Sequence, residues 1–117
     1  MRRLLRAATN TWQGLRAAVR TEQAFRQELL VLVIALPTAF WVAQENWKRL
    51  ILIGALVLLL ITELLNTAIE KLADRISRES DVLIGEVKDM SSAAVGLAIL
   101  LSALVWFLAF AEWAGLV

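Results

Sequence analysis

Residues 50–75 read LILIGALVLLLITELLNTAIEKLADR. The first twelve, Leu50 to Ile61, carry no charge, and Thr62, Glu63, Asn66, Glu70 and Asp74 follow at once. At 1.5 Å per residue, the apolar dozen covers about 18 Å of a hydrocarbon layer about 30 Å thick. A helix built on this stretch therefore crosses a bilayer only by carrying Glu63 and Asn66 into the apolar zone or to its edge. A carboxylate at the bilayer centre costs about 2.5–3.5 kcal/mol, so it faces protein or water and usually marks function. Measured from Glu63 at about 100° per residue, Asn66 lies near −60°, Glu70 near −20° and Asp74 near +20°. These four polar groups share one face, and Leu64, Leu65, Ala68, Ile69 and Leu72 take the other.

Two further apolar stretches flank this one. Leu29 to Ala43 reaches bilayer length if it continues to Trp47, with Pro37 expected to bend it. Ala93 to Ala111 holds 19 residues without a charge and crosses unaided. Of 117 residues, 60% are hydrophobic and 20% charged, and the mean hydropathy is +0.69. Soluble domains hold roughly 45–50% apolar residues, so the composition places the chain in a membrane. One proline, five glycines and no internal repeat leave no obvious linker. The expected fold is an all-α membrane protein, a single domain over 1–117. It has an amphipathic surface helix at 1–20 and transmembrane helices at about 27–47, 49–72 and 90–115.

Basic residues set the expected orientation. Arg2, Arg3, Arg6, Arg16, Arg20 and Arg26 precede the first span, and Lys71, Arg75, Arg78 and Lys88 lie between the second and third. Only Lys48 and Arg49 lie between the first and second, and none follows the third. The positive-inside rule then puts the N-terminus and the 71–88 segment in the cytoplasm and the C-terminus outside. Residues 7–28 mix polar and apolar side chains, unlike the apolar core of a signal peptide, so the first span is expected to stay uncleaved. In the N-terminal segment Leu4, Ala8, Trp12, Leu15 and Val19 recur at steps of three and four, opposite Arg3, Arg6, Asn10, Gln13 and Arg16. That stripe fits a helix lying on the inner membrane surface, and equally one packed on its own bundle.

The sequence has no cysteine and no histidine. Disulfides, thiol nucleophiles, imidazole acid–base chemistry and the usual zinc sites are excluded. A formal charge of +1 without a long basic run makes nucleic acid an unsuitable partner. What remains is oxygen chemistry. Carboxylates converging with an Asn amide suit Mg²⁺ and phosphate. Two alternatives stand beside this: a transporter in which a membrane carboxylate carries protons or a cationic compound, and ion pairs that only hold the bundle together. A second polar set, Glu22, Arg26 and Glu28, precedes the first span, with Glu22 and Arg26 at ion-pair spacing. Lys88 and Asp89 stand where the third span begins, with Ser91 and Ser92 as potential caps. Glu22, Glu63, Asn66, Glu70, Lys88 and Asp89 all fall near one membrane face, and a phosphate site needs such a mixture.

The order WQGLRAA at 12–18, EQAFRQE at 22–28, ELLNTAIEKLADR at 63–75 and KDMSSAAV at 88–95 resembles the bacterial integral-membrane diacylglycerol kinases. The undecaprenol kinases belong to the same family. The resemblance spans nearly the whole chain, and GxxxxGK[ST] is absent, as it is from that family. It implies a homotrimeric bundle in the bacterial inner membrane, with active sites at subunit contacts near the cytoplasmic face. It also implies direct transfer of the γ-phosphate of Mg·ATP to a lipid hydroxyl, with diacylglycerol as the acceptor and undecaprenol as the alternative. Carried over by motif, Glu63 resembles the general base, and Glu22 and Glu70 the Mg²⁺ ligands, supported by Asn66 and Asp74. Lys88 resembles the residue that neutralises the ATP phosphates, while Arg3, Asn10, Glu22, Glu70, Glu79, Ser80, Asp81 and Asp89 would help to hold the nucleotide. Trp12, Arg16, Arg26, Glu28, Glu63 and Ser92 would contact the lipid. Two positions depart from the pattern: Asn10 stands where some members carry an aromatic, and Ser91 where familiar members carry Gly.

Overall fold

A computed structural model describes residues 1–76 and 81–117. Four helices account for nearly all of them: α1 (Arg2–Thr21), α2 (Gln23–Val42), α3 (Asn46–Ile76) and α4 (Val82–Trp113). Helices α2, α3 and α4 are each long and apolar enough to cross a membrane. With 31 and 32 residues, α3 and α4 are each about 47 Å long, well beyond a hydrocarbon core of about 30 Å. Their excess length carries polar side chains out of the apolar layer.

The element ends have local causes. Glu22 has extended backbone (φ −118°, ψ 112°) and lies between the two helices as the C-cap of α1 and the N-cap of α2. The guanidinium of Arg26 bridges this corner by donating to the carbonyls of Val19 (2.8 Å) and Arg20 (3.3 Å). These are the acceptors a helix C-terminus leaves unsatisfied. The expected Glu22–Arg26 ion pair gives way to this cap, and Glu22 instead faces Lys71 at 3.8 Å. Pro37 is accommodated inside α2, where Thr38 Oγ1 donates to the Ile34 carbonyl at 2.8 Å. The apolar run that seemed to reach Trp47 is divided, because α2 closes at Val42 and α3 opens at Asn46. Arg49 pins that turn, donating to the Ala43 carbonyl (2.8 Å) and stacking over Phe40. Asp81 caps α4 by accepting from the amides of Leu83 and Ile84. Ser91 and Ser92 therefore lie well inside a continuous helix and are not caps.

Helix α3 is the spine, with α4 packed along one side and α2 along another, while α1 touches mainly α2. Two small cores hold the bundle. At the α1 end, Ala18, Phe25 and Leu60 meet Leu29, Leu32 and Leu64. At the opposite end, Ala39, Ala43 and Leu52 meet Ile53, Val105, Trp106 and Ala109. Small residues on α4 let its backbone approach α3, so polar groups can bond across the contact. Ser102 Oγ donates to the Ala55 carbonyl (3.1 Å) and Trp106 Nε1 to the Leu52 carbonyl (3.1 Å). Beyond them, Lys48 pairs with both Glu45 and Glu112. Only 11% of the most apolar stretch of α4 is buried within the chain, which leaves a long apolar face for lipid or for another subunit.

Candidate active site

The α1 end of the bundle gathers most of the polar residues the sequence singled out. Its centre is Glu63, buried on α3 at 8% exposure. From α2, the Glu28 carboxyl stands close to Glu63, and the charges of Glu70 and Glu22 are near enough to act on it. Among the described residues, Glu28 Oε2 is buried without a hydrogen-bond partner. A buried carboxylate oxygen without a donor is costly, and a donor or a cation entering the site would satisfy it.

One helical turn along α3 from Glu63, Asn66 Nδ2 donates to Glu70 Oε1 at 3.3 Å. From α4, the hydroxyl of Ser91 donates to Asn66 Oδ1 at 2.6 Å. Lys88, one turn before Ser91, forms an ion pair and hydrogen bond with Asp74. Lys71 closes the α1 side by donating to Thr21 Oγ1 (3.1 Å) while facing Glu22. Glu22, Glu28, Glu63, Asn66, Glu70, Asp74 and Lys88 thus lie along one connected polar surface built from α2, α3 and α4.

Other expected site residues stand apart. Arg3, Asn10, Trp12 and Arg16 lie on the exposed length of α1, and Asp89 and Ser92 are exposed on α4. Asp81 is engaged as the α4 cap and Arg26 as the α1 cap. Glu79 and Ser80 lie outside the described residues. Lys71 and Ser91 were not read from the sequence as members of the site. Lys71 counted only as a topology charge, and the three-residue step from Lys88 to Ser91 was the one signal that both share a helix face.

The donor set is entirely oxygen, which suits a hard cation. Among the described residues no three carboxylates converge tightly enough to hold a metal ion by themselves. Mg²⁺ typically takes one or two carboxylates and completes its shell with phosphate oxygens and water. Nearby stand a lysine able to meet phosphate charge and a buried acid at the edge of the apolar layer.

Comparison with known proteins gives a consistent picture. The sequence model of the prokaryotic diacylglycerol kinase family matches residues 9–110. The diacylglycerol kinase of Escherichia coli K12 is 43% identical over 104 residues, covering 89% of this chain and 85% of that protein. That of Pseudomonas aeruginosa PAO1 is 40% identical over 106 residues (91% and 86%). The Haemophilus influenzae enzyme is 34% identical over 103 residues (88% and 87%).

Proposed function

From the premise that this chain belongs to the prokaryotic diacylglycerol kinase family, we propose how the cluster at the α1 end carries out the reaction. The protein is a multi-pass membrane enzyme that phosphorylates diacylglycerol with ATP. The family assignment favours a kinase over a transporter, and we read Glu63 in that light. The observation that carries the mechanism is the buried Glu63 carboxyl, set against Glu28 and one helical turn from the Asn66–Glu70 pair.

Counted from Asn46, Glu63 lies about 26 Å along α3, close to the far boundary of a hydrocarbon layer about 30 Å thick. A lipid whose acyl chains stay in the bilayer brings its hydroxyl to that depth. A nucleotide arrives from water on the same side. Glu63 takes the proton of the lipid hydroxyl as the oxygen attacks the γ-phosphorus; the bond to the β–γ bridging oxygen breaks, and ADP leaves. Glu28, beside Glu63, holds the headgroup. Lys88 leaves Asp74 to meet phosphate charge, and the exposed Asp89 beside it faces the side from which the nucleotide arrives. Glu22 and Glu70 would hold Mg²⁺, with Asn66 bonded to Glu70 as support and Asp74 further along the same face. When bound, the ion neutralises charge on the transferring phosphoryl group, the main demand of this chemistry. The Lys71–Glu22 contact, long and half-exposed, is weak enough for a divalent cation to displace.

The basic residues around this end support a cytoplasmic location for it, with the C-terminus outside. Helix α1 lies on that surface with Trp12 at the interface. A homotrimer is supported by the uncovered apolar face of α4. The test is ADP release by detergent-purified protein with Mg·ATP, comparing dioleoylglycerol and undecaprenol as acceptors. Faster release with dioleoylglycerol is expected. Absence of lipid-dependent release with both acceptors overturns the mechanism, and preference for undecaprenol moves the acceptor to the polyprenol.

A further inference from the structure

We propose that Ser91 is a positioning residue: its buried hydroxyl fixes the Asn66 carboxamide and, through it, the Glu70 carboxylate. The inference rests on the reading of Glu70 as a metal ligand. Ser91 is 7% exposed and sits on the side of α4 that faces α3. Its Oγ lies 2.6 Å from Asn66 Oδ1 and 3.2 Å from the Lys88 carbonyl. A hydroxyl has a single hydrogen, and the shorter contact takes it. Oδ1 accepts from Ser91 while Nδ2 faces Glu70 Oε1 at 3.3 Å, the arrangement in which both ends of the amide are satisfied. The reversed amide would set a carbonyl oxygen against a carboxylate. The relay therefore runs in one direction, from serine to asparagine to glutamate. It holds one oxygen of Glu70 and leaves the other for a cation.

Outer partners of this kind orient ligands without touching the metal, and losing one typically lowers metal affinity about 10–100-fold. A merely structural role would be an α3–α4 tether. Ser102 supplies the control, since its buried hydroxyl also bridges α4 to α3, on the Ala55 carbonyl, far from the carboxylates.

The experiment uses the full chain in detergent micelles, with Mn²⁺ and ADP titrated by electron paramagnetic resonance. Ser91→Ala, Ser102→Ala and Glu70→Gln are compared with the unmodified protein. Ser91→Ala is expected to weaken Mn·ADP about 10-fold, to raise KM for Mg·ATP while largely sparing kcat, and to move the Asn66 side-chain amide resonance of the metal-free protein. Ser102→Ala should leave all three unchanged. Normal affinity in Ser91→Ala, beside weakened affinity in Glu70→Gln, overturns the relay and leaves the metal reading standing. Equal losses in Ser91→Ala and Ser102→Ala also overturn it, by reducing Ser91 to a tether. Unchanged affinity in Glu70→Gln removes the metal reading and the relay with it.

Discussion

Glu63→Gln keeps the shape and hydrogen-bonding capacity of the side chain and removes its basicity. A positioned general base contributes about 10²–10⁴-fold, so kcat is expected to fall by at least about 100-fold while Mg·ATP binding stays near normal. Steady-state kinetics with nucleotide-binding measurements check this, and near-normal turnover would refute the base assignment. Glu22→Gln should show the opposite pattern, weakened metal–nucleotide binding at a less affected kcat. The difference in legibility between these residues and others has a physical source. Glu63, Asn66, Glu70 and Asp74 were legible because all four ride one helix, where angular spacing follows from residue number and an apolar surrounding makes every polar group costly. Glu28 against Glu63, Lys71 against Glu22 and Ser91 on Asn66 depend on how separate helices dock. No periodicity within a single helix encodes that register.

At the level of elements, the corners were the least legible part. The sequence reading extended the first span to Trp47 because Gln44 and Glu45 interrupt the apolar pattern only briefly, whereas tertiary bonds from Arg49 close the turn there. Similarly, α4 starts at Val82 because Asp81 satisfies two amides, a local cap upstream of the apolar run. The α1–α2 corner depends on Arg26, so Arg26→Met should release the Val19 and Arg20 carbonyls and fray the last turn of α1. Faster amide exchange confined to that turn is the expected result, and unchanged exchange would show that the Ala18–Phe25–Leu60 packing suffices. The far corner carries a pH signature. A hydrogen bond from the Trp47 indole (2.6 Å), followed by Lys48, holds the Glu45 carboxyl below its ordinary value of 4.5. A group depressed in the folded state stabilises above its unfolded pKa and loses that contribution as pH falls through the folded one. Melting temperature should therefore drop more steeply below about pH 4.5 in the unmodified protein than in Glu45→Gln, and parallel curves would count against the pairing.

The whole molecule poses a question that one chain leaves unsolved. Helices α2, α3 and α4 bury little of their apolar surface against one another, and lipid alone could cover the remainder. What lipid cannot supply is further oxygen ligands or a wall to separate a charged nucleotide from the bilayer. Since no three carboxylates converge among the described residues, the enclosure must come from other copies, from the nucleotide, or from both. Assembly into a trimer predicts a protein mass in detergent three times the 13.0 kDa of the chain, with activity following that species through gel filtration. Mixing has a further consequence. Because Glu63 and Lys88 lie along one polar surface of a single chain, Glu63→Gln and Lys88→Met subunits, each inactive alone, should stay inactive when dissociated together and reassembled, the neighbouring copy adding only a wall to the site. Recovery requires that the two residues of one site come from different chains, whereas a site completed within each chain gives none at any mixing ratio. A fully active monomer would go further and remove the need for assembly altogether.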